Sequence, residues 1–314
     1  MSTTASVETA TYYDKNTGRF IGKHKPGNTG TIHRALYAPG VENREQALHY
    51  CHTLILKELQ SVTARRVLDL GCGVGATLQY LSGRYPDAEY RGITISPVQK
   101  AIAAAQQLPV DQGDYHEPGW FKTQPPFDFV YAVESLQHAS NLPAVIDNIA
   151  VACRDGGYFL VIDDFQADSP VPRGSGKIIN RYTKHWHADG YRRRNDFIRT
   201  MESKGFHLDH GKDLSAYQRS RPFFNLAFYW LLSPLHLLHP VPPYAQNLLG
   251  GNALLRLQDL GLSGYHLLVF RRLRRKEKEE GEKELAQRHR EDEEEGDGRF
   301  ATETQRHGED EKII

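Results

Sequence analysis

Apolar residues change their spacing along the chain, and the changes divide it into elements. From Glu42 to Gln60, Ala47, Leu48, Cys51, Leu54, Ile55 and Leu59 recur three and four residues apart, the period of one helix face. After Arg65 the pattern becomes short strand-like runs alternating with helical ones. Strands are predicted at Arg65–Leu70, Glu89–Ser96, Pro109–Tyr115, Phe127–Glu134 and Gly157–Phe165. Helices are predicted at Ala76–Arg84, Val98–Leu108 and Leu142–Cys153, so each crossover is long enough to connect parallel neighbours. A further helix, Asn195–Lys204, leads to a strand at Gly205–Lys212, and Tyr265–Arg271 reads as the last strand. The expected fold class is α/β, with a doubly wound, mostly parallel sheet.

Three regions lie outside that alternation. Residues 1–64 read as an N-terminal helical cap, which the glycine-bearing loop GKHKPGNTGT interrupts. Residues 166–190, rich in Pro, Gly and basic side chains, read as a loop or lid. Residues 216–262 form an insertion whose apolar stretch Phe223–Leu232 is a short helix ended by Pro234. The main domain is therefore expected at 65–275, with a lid insertion at about 216–262.

Composition adds a boundary. The chain of 314 residues carries 39 Lys+Arg and 39 Asp+Glu, but residues 271–314 hold 12 of the basic and 15 of the acidic ones. The first 270 residues keep 27 basic and 24 acidic, too even for a nucleic-acid-binding surface. The 276–314 tail has few core-forming residues and is expected to be disordered. Cys51, Cys72 and Cys153 form neither a disulfide framework nor a metal-ligand spacing, and small buried thiols are the expected reading. No secretory leader or transmembrane stretch is legible, so a cytoplasmic protein is the expectation.

The chemistry concentrates at strand ends. In Val67-Leu68-Asp69-Leu70-Gly71-Cys72-Gly73-Val74-Gly75 a strand delivers a carboxylate and three glycines then open a helix. Glycines let the backbone turn sharply and approach a ligand. Asp69 would repel a pyrophosphate but suits a cation such as the α-amino group of S-adenosylmethionine. Thr94 and Gln99 in GITISPVQ offer a hydroxyl and an amide to a ribose, while Ser96 and Pro97 equally suit a helix start. In YAVESLQHA, Glu134 and His138 lie four apart at a strand's carboxyl end, where open α/β sheets bind ligands. Glu134 stabilising a developing cation and His138 accepting a proton is one reading; local capping is the other.

LDLGCGVG, GITISPVQ, QGDY and YAVESLQHA together resemble class I S-adenosylmethionine-dependent methyltransferases. The likeness, over about residues 10–215, is greatest to the branch of sterol, tocopherol and prenyl-diphosphate C-methyltransferases, with cyclopropane fatty acid synthases as relatives. The resemblance implies a Rossmann-like domain in which Gly71, Cys72, Gly73 and Gly75 line the methionine part of the cofactor. Thr94 and Gln99 would hold the ribose, Asp114 the adenine amino group with Tyr115 beside it, and Tyr12 and Tyr13 would close over the cofactor.

The expected activity is methylation of a small apolar natural product, first of an alkene carbon in a terpenoid. O- or N-methylation with His138 as base is the alternative, and a scaffold binding partners through the tail is the reading from another class. Arg173, Lys177, Arg181, Lys184 and Arg192–Arg194 offer an anionic head group a basic surface, or are simply solvated. Asp163-Asp164 reads as a helix cap or a Mg²⁺ site for a diphosphate. His185-Trp186-His187, His236 and His239 are not expected to bind metal. The 223–232 helix reads as packing against the sheet, as a substrate cover, or as a membrane contact. The N-terminal helices offer a surface for exchange between protomers.

Overall fold

The computed structural model describes residues 4–22, 30–219, 222–237, 241–274 and 277. The expectation of a disordered tail falls almost wholly outside these residues, as do most of the GKHKPGNTGT loop, the His236 side chain and His239. Two helices, α1 (Thr4–Phe20) and α2 (Arg44–Ser61), precede the sheet. Asn43 caps α2 by accepting the Gln46 amide at 2.9 Å, so the helix starts two residues later than its apolar pattern suggests.

The sheet has seven strands: β1 (Arg66–Leu70), β2 (Glu89–Thr94), β3 (Val110–Gln112), β4 (Phe127–Val133), β5 (Cys153–Gln166), β6 (Phe206–Asp213) and β7 (Ser263–Arg272). Their order is β3-β2-β1-β4-β5-β7-β6. The first five pair in parallel, and β7 lies antiparallel between β5 and β6. The order reverses between β1 and β4, which opens a crevice at their carboxyl ends. Alternate residues feed opposite cores. Leu68, Leu70, Val130 and Ala132 pack on one face, and Val67, Phe129, Tyr131 and Leu160 on the other.

The crossovers are α3 (Ala76–Ser82), α4 (Pro97–Ala105), α5 (Pro118–Thr123) and α6 (Leu142–Ala152), and α8 (Arg194–Ser203) leads into β6. Sequence periodicity missed the short α5, which starts on Pro118. It also placed Cys153 in a helix, whereas Cys153 begins β5, beside Phe127 of β4. All three cysteines are free.

Two corrections concern the cap over the crevice. The 166–190 segment is not only a loop: α7 (Gly176–Trp186) forms there and buries Tyr182 and His185. Its Gly and Pro residues hid the helical spacing of Ile178, Tyr182 and Trp186. The insertion holds two helices, α9 (Pro222–Leu232) and α10 (Pro243–Asp259). Ala253, Leu254 and Leu257 of α10 form a third core with Tyr182, and α9 rests on α10 rather than on the sheet. Among the described residues no helix is long and apolar enough to cross a membrane.

Candidate active site

A cavity of about 370 Å³ occupies the crevice, within the usual range for a small-molecule site. Tyr12, Tyr13, Asp69, Gly71, Cys72, Gly73, Thr94, Gln99, Asp114, Tyr115, Glu134 and His138 all line it. Gly75 is the exception among the expected residues. It stands at φ 83° before α3, where an added Cβ would lie 2.6 Å from Leu108, so it serves the turn and not the cavity wall. At Gly71, φ is 81° and a Cβ would fall 2.6 Å from that of Ser135, so glycine here lets the β1 turn touch the segment after β4.

Asp69 is 3% exposed and accepts the Tyr131 hydroxyl at 2.9 Å. No basic side chain among the described residues pairs with it, and burial pushes its carboxyl up to about 7. A buried carboxylate facing the cavity with one neutral donor suits a ligand ammonium. Burial also acts upward on Asp114, but hydrogen bonds from His116 and Ser6 outweigh it and hold that carboxyl down at about 2. His116 donates to it through its backbone amide at 2.9 Å and its ring at 2.7 Å.

Thr94 donates to Gln99 Oε1 at 2.7 Å, and Gln99 Nε2 donates to Thr17 of α1 at 3.2 Å. Ser96 accepts the Gln99 amide at 3.1 Å and donates to Asp14 at 2.5 Å, so it is both a helix cap and a tie to α1. The helix-start reading of GITISPVQ is met by Ser96 and Pro97, while Thr94 and Gln99 face the cavity. These ties place Tyr12 and Tyr13 over the crevice, and Asn247 of α10 donates to the Tyr12 hydroxyl at 3.1 Å.

The segment after β4 carries the reactive groups. Glu134 sits at φ 48°, a left-handed conformation costly for a residue with a side chain. Its amide donates to Ile162 at 2.8 Å, and Asp163 caps the following turn by accepting the Gln137 amide at 3.1 Å. Burial and the nearby Glu134 push the Asp163 carboxyl up to about 8. Glu134 Oε1 accepts from the Arg34 amide at 3.1 Å, Arg34 Nε at 3.2 Å and the Tyr265 hydroxyl at 2.9 Å. The Arg34 guanidinium also binds Asp164 and Gln218, and lies 4.4 Å from the centre of the Tyr265 ring. Burial opposes ionisation of Glu134, but Arg34 outweighs it and holds the carboxyl below its ordinary value. The Asp163-Asp164 pair thus divides into a cap and an ion-pair partner, and no metal cluster occurs among the described residues.

His138 has a defined tautomer. Its Nδ1 lies 2.9 Å from the His187 carbonyl, which can only accept, so Nδ1 carries the proton. Nε2 then accepts the Tyr13 hydroxyl at 2.8 Å. Burial lowers the His138 pKa to about 4 and raises that of Tyr13 well above its ordinary value, so both are neutral near pH 7.

Sequence reasoning missed Arg34, Tyr265, Trp186 and Asn247, which come from a loop and from elements beyond residue 170. No lysine or arginine of the 173–194 segment lines the cavity. Arg181 binds Tyr229 O at 3.4 Å and Ser233 at 3.1 Å, Arg192 binds Gly190 O and Ala139 O, and Arg194 pairs with Asp168. Arg34 and Arg44 are the lysine or arginine residues that line the cavity among those described, and Arg34 is committed to carboxylates.

Known proteins share the domain family and the fold. An O-methyltransferase of Penicillium expansum is 33% identical over 132 residues, 40% of this chain and 46% of the relative. The chain spans about half the length of the curated relatives it matches. Among solved structures, a cyclopropane synthase from Mycobacterium tuberculosis has a TM-score of 0.63 at 15% identity, covering 87% of this chain and 99% of that one. Geranyl diphosphate C-methyltransferase from Streptomyces coelicolor A3(2) has a TM-score of 0.57 at 14% identity, covering 87% and 100%. At such identities the likeness is one of fold, that of the S-adenosylmethionine-dependent class I enzymes. Residues 42–210, more than half of the chain, match the methyltransferase domain family, and the chain belongs to it.

Proposed function

We propose that this chain methylates an oxygen or nitrogen of a small apolar acceptor, with S-adenosylmethionine as donor. The observation that carries the reading is the Tyr13–His138 pair, a neutral hydroxyl bonded to a neutral imidazole lone pair at the cavity wall. An acceptor proton passing to Tyr13 Oη, as the tyrosine proton moves to His138 Nε2, leaves no buried anion on the protein but a His138 imidazolium, which burial disfavours until the proton departs. S-adenosylmethionine, when bound, supplies an electrophilic methyl group on a sulfonium.

Asp69 holds the ammonium, Thr94 and Gln99 the ribose, and Asp114 the adenine edge. Ser6, Thr9 and the Tyr12–Tyr13 pair line the cavity from α1 and exclude water from it. Two curated relatives, an O-methyltransferase and ajmaline N-methyltransferase of Rauvolfia serpentina, are consistent with acceptors of this type. Arg34 is bound to Glu134 and Asp164, so among the described wall residues Arg44 is the one lysine or arginine left for an anionic group on the acceptor.

C-methylation of an alkene is the second reading. Three donors on Glu134 Oε1 absorb much of its field, which lowers its rank. One observation still favours it: Glu134 and Asp164 share the single guanidinium of Arg34, leaving net negative charge beside the cavity. Incubation with methyl-labelled S-adenosylmethionine and separate phenol, amine and prenyl-alkene acceptors, followed by location of the label, tests the assignment. Label on oxygen or nitrogen, lost in Tyr13→Phe, is the expected result. Label on carbon, unaffected by Tyr13→Phe, overturns it.

A further inference from the structure

The cap carries a surface that the methyl-transfer site does not use. Helix α9 is apolar except for Asn225 and the Tyr229 hydroxyl, a composition normally found in buried helices. Yet Phe223 is 78%, Trp230 68% and Leu231 70% exposed, and Phe223, Ala227 and Trp230 share one helical face. This stripe lines neither the catalytic cavity nor the groove between α9 and α10, where Phe224 and Phe228 lie. A contiguous exposed patch of this kind marks an interaction site.

Charge identifies the occupant. From Leu214 to Gln258, and again from Ser169 to Ala188, the sequence contains no Asp or Glu. Helix α7 presents Lys177, Arg181 and Lys184 on one face by their four- and three-residue spacing, and Lys177 and Lys184 are exposed. Arg181 joins that face to α9, since its guanidinium lies 4.2 Å from the Tyr229 ring centre and reaches Ser233. Asp259, just past that stretch, accepts from Asn225 of α9, but its side chain is buried and paired with Arg256, so the exposed aromatic and aliphatic side chains lie beside a basic rim.

We infer that α9 and the basic face of α7 form a docking surface for a lipid bilayer bearing anionic head groups. Phe223, Trp230 and Leu231 enter the boundary between head groups and acyl chains, and Lys177 and Lys184 meet the anionic surface. A second copy of this chain is a poorer occupant, because a two-fold contact through α9 would set the two basic rims against each other.

Co-sedimentation of the full chain with vesicles tests the inference. The chain is expected to pellet with mixed phosphatidylcholine–phosphatidylglycerol vesicles at low salt and to stay in solution with phosphatidylcholine alone. Phe223→Ser with Trp230→Ser and Leu231→Ser should abolish pelleting while leaving the melting temperature unchanged, since these side chains are exposed. Lys177→Ala with Lys184→Ala should weaken binding on the order of tenfold. The inference is overturned if the chain ignores anionic vesicles, binds neutral ones equally well, or binds independently of the triple substitution. It also fails if sedimentation shows a dimer that the triple substitution dissolves.

Discussion

Asp69 should make the affinity for a cationic cofactor depend on pH between about 5 and 7. Its carboxyl, raised from 3.8 to about 7 by burial, disfavours the charged form by about 4 kcal/mol. The sign follows from linkage. A raised carboxyl contributes stability that is complete below its unfolded value and is lost as pH climbs through about 7. A ligand ammonium beside Asp69 reverses the preference and expels the proton. From about pH 7 to about pH 6 the charged fraction of Asp69 falls from about a half to about a tenth, so affinity should fall about fivefold. By about pH 5 it should fall roughly tenfold more.

Three ionisable neighbours keep their predominant charge state across this range. Asp114, at about 2, stays charged, and His138, at about 4, stays mostly neutral. Asp163, at about 8, stays mostly protonated. Calorimetric titration of S-adenosylhomocysteine in two buffers of different ionisation heat measures both quantities, with release of nearly one proton expected near pH 6. Asp69→Asn should bind weakly, with no such slope. Flat affinity and no proton release from a folded protein would refute the assignment of Asp69 to the ammonium.

Four other outcomes follow from the site. Tyr13→Phe should lower kcat on the order of a hundredfold or more with little change in S-adenosylhomocysteine affinity, read by steady-state kinetics beside calorimetry. Arg34→Met leaves Glu134 and Asp164 without their shared cation and should cost about 3–5 kcal/mol, seen as a fall of roughly 10 °C in melting temperature. Glu134→Gln keeps shape and cofactor affinity. A large fall in its turnover would restore the cation-stabilising role of Glu134, whereas the oxygen or nitrogen reading predicts a loss smaller than that of Tyr13→Phe. Gly71→Ala meets both a positive φ and the Ser135 side chain, so it should lower the yield of folded protein in a solubility assay.

The parts of this site that a sequence reader can find are local. Asp69 and its glycines, Thr94 with Gln99, Asp114 and Glu134 each lie at or within a few residues of a strand's carboxyl end, and the parallel topology then gathers them at one edge. Arg34 and Tyr265 reach Glu134 from positions 100 and 131 residues away, and no local period encodes that meeting. Asn247 and Trp186 belong to the cap, where Pro and Gly punctuation concealed α7 and the insertion gave no hint of α10's contacts. The apolar pattern of α9 was plain, but its natural reading, burial on the sheet, failed because α10 and α7 occupy the space beneath it. Glu134 shows what sequence spacing leaves out most clearly. Its position was legible, while its left-handed backbone and its three donors were not.

The central claim is that the crevice is an S-adenosylmethionine site with Asp69 as its ammonium partner. Its most direct test is the melting temperature of the full chain near pH 7.5 with and without S-adenosylhomocysteine at about a hundred times its dissociation constant. The expected stabilisation is about 2.7 kcal/mol, a rise of several degrees, which Asp69→Asn should lose at the same ligand concentration. An unchanged melting temperature in the wild-type chain would contradict the account.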